Sequence, residues 1–302
     1  MSPEAVPIHF SPDSLIALNV CLAIIMFGVA LEIKREHFTE LLTQKKSVFT
    51  GLFSQIILLP FITLLLVLVL PISKGMALGM LLVAACPGGN VSNFFSMLAR
   101  GNVALSVTLT AFSSLLAFVI TPLNFFFWAS LVPGLIEEVK GFEISFLSLA
   151  GNMILILLVP LVAGMWVAER FPAFANSIGK SIRILSLLIL AAFIGMAFFN
   201  NRAAFTANFT TVFGIVLLHN GAALLLSYFF SKSLKNGEAN NRTIAIETGI
   251  QNSGLGLILI FTFFDGNPDM ALVAAWWGVW HLISGFSFAM FMRQRSIIPA
   301  LK

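Results

Sequence analysis

The chain has 302 residues, 59% of them hydrophobic and 10% charged, with a mean hydropathy of +0.98. Soluble domains carry about 25% charged residues, so a water-soluble globule is excluded. The net charge of +4 does not imply nucleic acid, because the Lys and Arg sit in short loops beside apolar runs, where a lipid bilayer is the expected partner.

Nine apolar segments are predicted as membrane helices, at 13–33, 46–70, 75–99, 103–129, 143–167, 182–199, 206–231, 240–264 and 270–292. Each is near the ~20 residues that cross a ~30 Å hydrocarbon layer. Helices are expected because a spanning segment must satisfy its own backbone polar groups. Runs such as LFSQIILLPFITLLLVLVL lack the alternation of a barrel strand. The predicted class is an all-α polytopic membrane protein forming a single domain. The stretch MSPEAVPIHFSPDS before the first segment contains no Lys or Arg, so it is not expected to be a cleavable signal peptide. Cys21 and Cys86 lie inside apolar segments and carry no disulfide information.

In chain order, the second segment carries Gln55. The third, GMALGMLLVAACPGGNVSNFFSMLA, is interrupted at Pro87, Gly88 and Gly89. Proline removes a donor and clashes with the preceding turn, while paired glycines let a backbone unwind. The fourth places Ser106 and Thr110 four residues apart on one face; hydroxyls bonded back to the i−4 carbonyl are a structural alternative there. The seventh and ninth hold His219 and His281. For both, a buried neutral ring bonded to a neighbouring helix is expected rather than a metal ligand, since no Cys, Asp or Glu stands at ligand spacing. The eighth, TIAIETGIQNSGLGLILIF, has Glu247 within it and Gly249, Gly254 and Gly256 around Gln251 and Asn252. A carboxylate within a spanning helix costs at least a few kcal/mol unless a cation or proton neutralises it. An edge residue reaching the cytoplasmic interface is the alternative. The 31 phenylalanines are read as lipid-facing and packing residues.

Orientation follows from Lys and Arg. With the N-terminus outside, fourteen of the 17 face inward and only Lys74, Lys140 and Arg202 face outward. The inward set includes Lys34, Arg35, Arg242 and Lys302. A multi-pass protein of the inner membrane is expected, its N-terminus outside and its C-terminus cytoplasmic.

Segments 1–4 match segments 6–9 in order but with opposite topology, leaving the fifth unpaired. The chain is thus read as an inverted repeat, 13–129 and 143–292, with the first half lacking its first helix. The interrupted segments, the third and eighth, then fall at corresponding positions, which points to a transporter's binding site near the bilayer midplane. Unwound carbonyls and half-helix C-termini there favour a cation. The N–H groups near Val91–Asn93 and Asn252–Gly254 are expected to favour an anion.

The motifs ACPGGNVSN, LARGNVALSV, VLLHNG, ETGIQNSGLG and VWHLISG resemble the bile acid:sodium symporter family, in order and over most of the chain. The resemblance implies two discontinuous helices crossing near the midplane. It implies a core of segments 2, 3, 4, 7, 8 and 9 facing a panel of segments 1, 5 and 6. It implies two co-transported Na+ ions, the first held by Ser92, Asn93, Ser106, Thr110 and Glu247. The second would be held by Gln55, Gln251 and the backbone carbonyls of Glu247, Thr248 and Ile250. Substrate is implied at Asn90, Asn252 and His281. Bacterial relatives often have Thr at Asn90 and Asn at Leu282; here Asn90 resembles the animal carriers, while Leu282 removes a polar contact.

The function expected is sodium-coupled import of an organic anion, bile acid-like or a related steroid or organic acid, by alternating access. A small acid such as pantothenate or pantoate is the alternative substrate, and a proton carried on Glu247 the alternative coupling ion. An enzyme is not expected: an intramembrane hydrolase would need a nucleophile within reach of a histidine, and nothing in the sequence places one there. Oligomeric state is not legible in the sequence.

Overall fold

The computed structural model describes residues 12–31, 43–142, 146–200 and 202–295, and every regular element among them is a helix. Lys34, Arg35 and Lys302, counted in the orientation argument, lie outside the described residues, as do 143–145 and residues 1–11 of the N-terminal stretch.

The first helix, α1, is Pro12–Ala30. The second, α2, runs Lys45–Val69 and contains a π-helical turn at Ser54–Leu58. Pro60 follows that turn and has no N–H for the Ile56 carbonyl. The Asn124 side-chain amide supplies the bond instead, at 2.9 Å, a local repair typical of membrane helices that contain proline. The third predicted segment is two helices, α3 (Lys74–Ala85) and α4 (Val91–Leu98). Cys86 ends α3 in extended backbone, φ −68° and ψ 155°, because a residue before proline is driven out of the helical region.

Next come α5 (Val103–Ser130) and the unpredicted short helix α6 (Leu135–Gly141). Helix α7 runs as Phe146–Met153, a π-turn Ile154–Leu158 and Val159–Arg170. Helix α8 is Pro172–Asn200, ten residues longer at its start than predicted, so Lys180 sits on a helix and not in a loop. Helix α9 is Arg202–Ser233. The eighth segment is again two helices, α10 (Glu238–Gly249) and α11 (Ser253–Phe263), before α12 (Pro268–Gln294). Among the described residues, five helical stretches are long and apolar enough to cross a membrane: α2, α5, Leu149–Arg170, Phe209–Ser233 and α12.

Helix α1 packs on α7 and α8, where Gly164 is needed because a Cβ there would lie 2.6 Å from the Ala30 Cβ. The remaining long helices pack around the interrupted pairs, with α12 on α3, α4 and α11, and α9 on α10. Phenylalanines divide as expected. Phe61, Phe127 and Phe229 point outward, whereas Phe125 and Phe264 meet edge to face inside, 5.3 Å apart.

Arg242 corrects one expectation. It was read as an inward-facing cation near the start of the eighth segment, but it is fully buried within α10. Nearby, an uncharged network joins α2, α5 and the start of α10. Asn102 donates to Gln44 and Asn240, both at 2.9 Å, and Asn240 donates to Ser47 at 2.8 Å. This fixes the three elements that carry most of the polar site above it.

Candidate functional site

The two helix breaks cross. Gly88 and Gln251 form one isolated antiparallel bridge. The Gly89 N–H donates to the Ile250 carbonyl and the Asn252 N–H to the Pro87 carbonyl, each at 2.8 Å. Neither glycine of the first break takes a positive φ; what demands glycine is contact. A Cβ on Gly89 would sit 3.1 Å from the Gln251 carbonyl oxygen, and one on Gly88 would lie 2.8 Å from Gln55 Nε2 and 3.0 Å from Glu247 Oε2. Gly249 closes α10 and faces Leu224 at a distance no Cβ could share. Gly254 and Gly256 lie inside α11, so the second break spans only Ile250–Asn252. Asn252 starts α11 by accepting the Leu255 N–H at 3.0 Å.

Glu247 stands at this crossing, fully buried. The alternative of an edge residue is therefore set aside: the carboxylate reaches no surface. Its Oε1 accepts from Ser92 at 2.5 Å, from Ser106, and from Thr110 at 3.2 Å. Its Oε2 accepts from Thr110 at 3.0 Å and from Gln55 Nε2 at 3.2 Å. Four of the five residues expected around the first ion thus converge from α4, α5 and α10. Asn93, the fifth, lines a cavity on the other side of α4, with its Oδ1 buried and unpartnered. Ser106 and Thr110 turn their hydroxyls to Glu247, so the back-bonded alternative is set aside.

The residues expected around the second ion also meet. Gln55 Nε2 donates to the Glu247 carbonyl at 3.0 Å, and Gln251 Nε2 to the Thr248 carbonyl at 2.8 Å. The Ile250 carbonyl accepts the Gly89 N–H and has a second lone pair free. Both glutamines keep a buried Oε1 without a partner, and an unsatisfied buried acceptor is costly. Oxygens of this kind are hard ligands and fit a small cation.

Two residues were missed. Ser113 accepts the Gly88 N–H at 3.3 Å, and the Ser54 and Thr248 hydroxyl oxygens lie 3.0 Å apart. Ser113 lies three residues beyond Thr110 on the same helical face, so spacing could have found it. Ser54 is brought in by the π-turn, which has no such signal.

A cavity of about 640 Å³ lies between α1 and α8 on one side and the crossing with α12 on the other, within the range that holds a small molecule. Asn90, Asn252 and His281 all line it, with Phe94 and Met97 among its apolar walls. Among the described residues no Lys or Arg lines it. The expected anion-binding N–H groups are largely engaged already. Ser92 and Asn93 donate to the Gly89 and Asn90 carbonyls, and Asn252 and Ser253 to Pro87 and Gln251. Side-chain donors therefore face the cavity with more capacity than the helix starts do.

His219 behaves as a packed histidine. Its Nε2 lies 2.6 Å from Thr63 Oγ1, which itself donates to the Leu59 carbonyl, so the ring donates through Nε2. Its face meets Trp277 at 4.7 Å.

Gly88→Ala is expected to wedge a methyl between Gln55 and Glu247. The sodium-induced thermal shift should fall at least tenfold in apparent affinity, and stability without sodium by about 1–3 kcal/mol. Thermal unfolding in sodium and in choline measures both.

Residues 19–208 match the family described as Sodium Bile acid symporter family. The chain is 32% identical over 92% of its length to an uncharacterized sodium-dependent transporter, YocS, of Bacillus subtilis (strain 168), covering 83% of that protein. It is 31% identical over 92% of its length to the probable sodium/metabolite cotransporter BASS2, chloroplastic, of Oryza sativa subsp. japonica, covering 64% of it. It is 28% identical over 83% of its length to the P3 protein of Mus musculus, covering 52% of it.

Proposed function

Because this chain belongs to the sodium bile acid symporter family, we propose that it imports an organic anion together with two sodium ions by alternating access. The observation that carries this reading is the buried Glu247 carboxylate, surrounded by three hydroxyls and the Gln55 amide where the two helix breaks cross. One ion sits among Ser92, Ser106, Thr110 and Glu247, with Asn93 at its cavity side. The other sits at Gln55, Gln251 and the Glu247, Thr248 and Ile250 carbonyls. Turning either glutamine amide over presents its unpartnered oxygen to the cation. These ligands come from both breaks, so binding ions fixes the crossing that forms one wall of the substrate cavity. Inward charge movement then gains ~2.3 kcal/mol per 100 mV.

We assign nine crossings in an inverted repeat, N-terminus outside, in the inner membrane. A reciprocal arrangement of helix starts supports the repeat. At one end, Asn102 before α5 takes the Thr243 hydroxyl of α10 on its N–H at 2.8 Å. At the other, Asp269 at the start of α12 accepts from Ser73, which caps α3. Each unbroken helix thus begins against the broken helix of the opposite half.

The substrate is an amphipathic organic anion, bile acid-like or a related steroid or organic acid, held by Asn90, Asn252 and His281 against apolar walls. The volume of the cavity and its apolar walls favour an amphipathic anion over a small, fully polar one. A small acid such as pantothenate is the competing substrate, and the name of the rice relative, a sodium/metabolite cotransporter, is the finding in its favour. A thermal-shift screen of bile acids, steroid sulfates and small acids, in sodium against choline at constant pH, decides among them. Stabilisation by an anion only in sodium is expected. Indifference to sodium rejects the mechanism; if stabilisation by the anion then varies when the screen is repeated across a pH series in choline, the proton carrier is favoured. His281→Ala is expected to weaken the stabilising anion at least tenfold and the sodium response less than threefold in the same assay.

A further inference from the structure

A second cavity borders Gln55, a donor to Glu247, from a different direction. It lies between α2, the end of α3 and α5, and its walls include Gln55, Cys86, Ser113, Thr121 and Asn124. Its volume is about 10 Å³, room for one water or one bare ion. It shares no lining residue with the large cavity.

Two buried oxygens in its wall lack partners, Gln55 Oε1 and Thr121 Oγ1; the two residues are 3% and 1% exposed. Thr121 is the more telling. A buried threonine in a helix satisfies itself by donating to the i−4 carbonyl, and Thr50, Thr63, Thr108 and Thr248 all do so here. Thr121 does not, although it lies in the same kind of helix. Thr110, Ser113, Ala117, Thr121 and Asn124 follow one another at helical spacing along one face of α5, over about 21 Å of helix at ~1.5 Å per residue. The stripe starts on a Glu247 ligand and runs toward the end of α5 at Ser130. Every polar group along it is neutral. Such oxygens bind a cation loosely enough to pass it on, whereas a carboxylate would hold it.

We propose that this stripe is the route by which sodium reaches Glu247 from the outer face, with Gln55, Ser113 and Thr121 forming a transit site for a single ion, separate from the path of the organic anion. The proposal rests on the sodium reading and the outward N-terminus given above.

Cys86 lines the transit site, so in Cys21→Ala protein it is a native reporter. Silver ion, a soft thiol-binding cation near sodium in size, is added outside sealed proteoliposomes of uniform orientation. The thiol that remains is then titrated with maleimide after unfolding. External silver is expected to consume Cys86, at least fivefold more slowly in sodium than in choline, and the organic anion found by the screen should not slow it. Thr121→Val, which keeps the shape and removes the hydroxyl, should slow the reaction at least fivefold while keeping the parent's sodium-induced thermal shift. Silver arriving only from inside, a rate indifferent to sodium, or no effect of Thr121→Val overturns the route. If the parent itself shows no sodium-induced thermal shift, the wider sodium reading fails instead.

Discussion

Glu247→Gln is expected to lower apparent sodium affinity about 100- to 4000-fold while the protein still inserts and folds. The estimate comes from removing one partner of a buried charge pair, about 3–5 kcal/mol, at ~1.4 kcal/mol per decade. Glutamine keeps the side chain's length but replaces one acceptor oxygen with an NH2. Ser92, Ser106, Thr110 and Gln55 all donate to the carboxylate, so at least one donor would then face another donor. The variant therefore loses both the charge and the means of orienting the hydroxyls toward an ion. Thermal unfolding across a sodium titration measures it. A midpoint equal to the parent's would place the sodium site elsewhere. The same titration separates the proton alternative, because a pure proton site would leave parent and variant alike unaffected by exchanging choline for sodium.

Much of this site was readable before any coordinates. Pro87 forces an end to α3, and a kink at PGGN, ordinary by itself in a membrane helix, gained meaning from the second interruption at the corresponding place in the other half. Glu247, flanked by Gln251 and Asn252, could not be a packing residue. The resemblance supplied the ligand set, and the fold brings Ser92, Ser106, Thr110, Gln55 and Gln251 around Glu247 or its carbonyls. What the sequence withheld belongs to tertiary register. The π-turn that turns Gln55 and Ser54 inward lies in SQIIL, whose local preference is plainly α-helical; only Pro60 hinted at it. The single bridge between Gly88 and Gln251 depends on where two breaks meet in space. Glycine was expected at the first break for its backbone freedom, but the structure uses it for nearness, since its φ is ordinary and its missing Cβ is what matters. The helix-start N–H groups were expected to be free for an anion, and the short turns that begin α4 and α11 take most of them.

Arg242 was hidden in the sequence for a related reason. A cation near the end of a membrane segment reads as a topological marker, and nothing local distinguishes one that is buried. Its Nε bonds Glu238 at 3.0 Å, its first terminal nitrogen bonds the Ala99 carbonyl at 2.9 Å, and its second bonds the Arg295 carbonyl at 3.0 Å. Ala99 caps the C-terminus of α4 and Arg295 that of α12. One guanidinium therefore satisfies orphan carbonyls at the negative ends of two helices and ties both to α10. Arg242→Met fills similar space but leaves those carbonyls unpaired and Glu238 with the Tyr228 hydroxyl alone. A loss of about 3–5 kcal/mol is expected, a fall in unfolding midpoint on the order of 10 °C. Arg242→Lys should recover less than half, because an ammonium cannot bond three separated acceptors as a planar fork does. The consequence extends to ion binding. Helix α4 carries Ser92 and α10 carries Glu247, so loosening their shared clamp would separate two of the ligands proposed for one ion. Sodium stabilises a folded protein by RT ln(1 + [Na+]/Kd), about 2.7 kcal/mol at 100-fold over Kd. Arg242→Met should show a smaller sodium increment than the parent at equal concentration. An equal increment would mean that the clamp holds the helix ends without positioning the site.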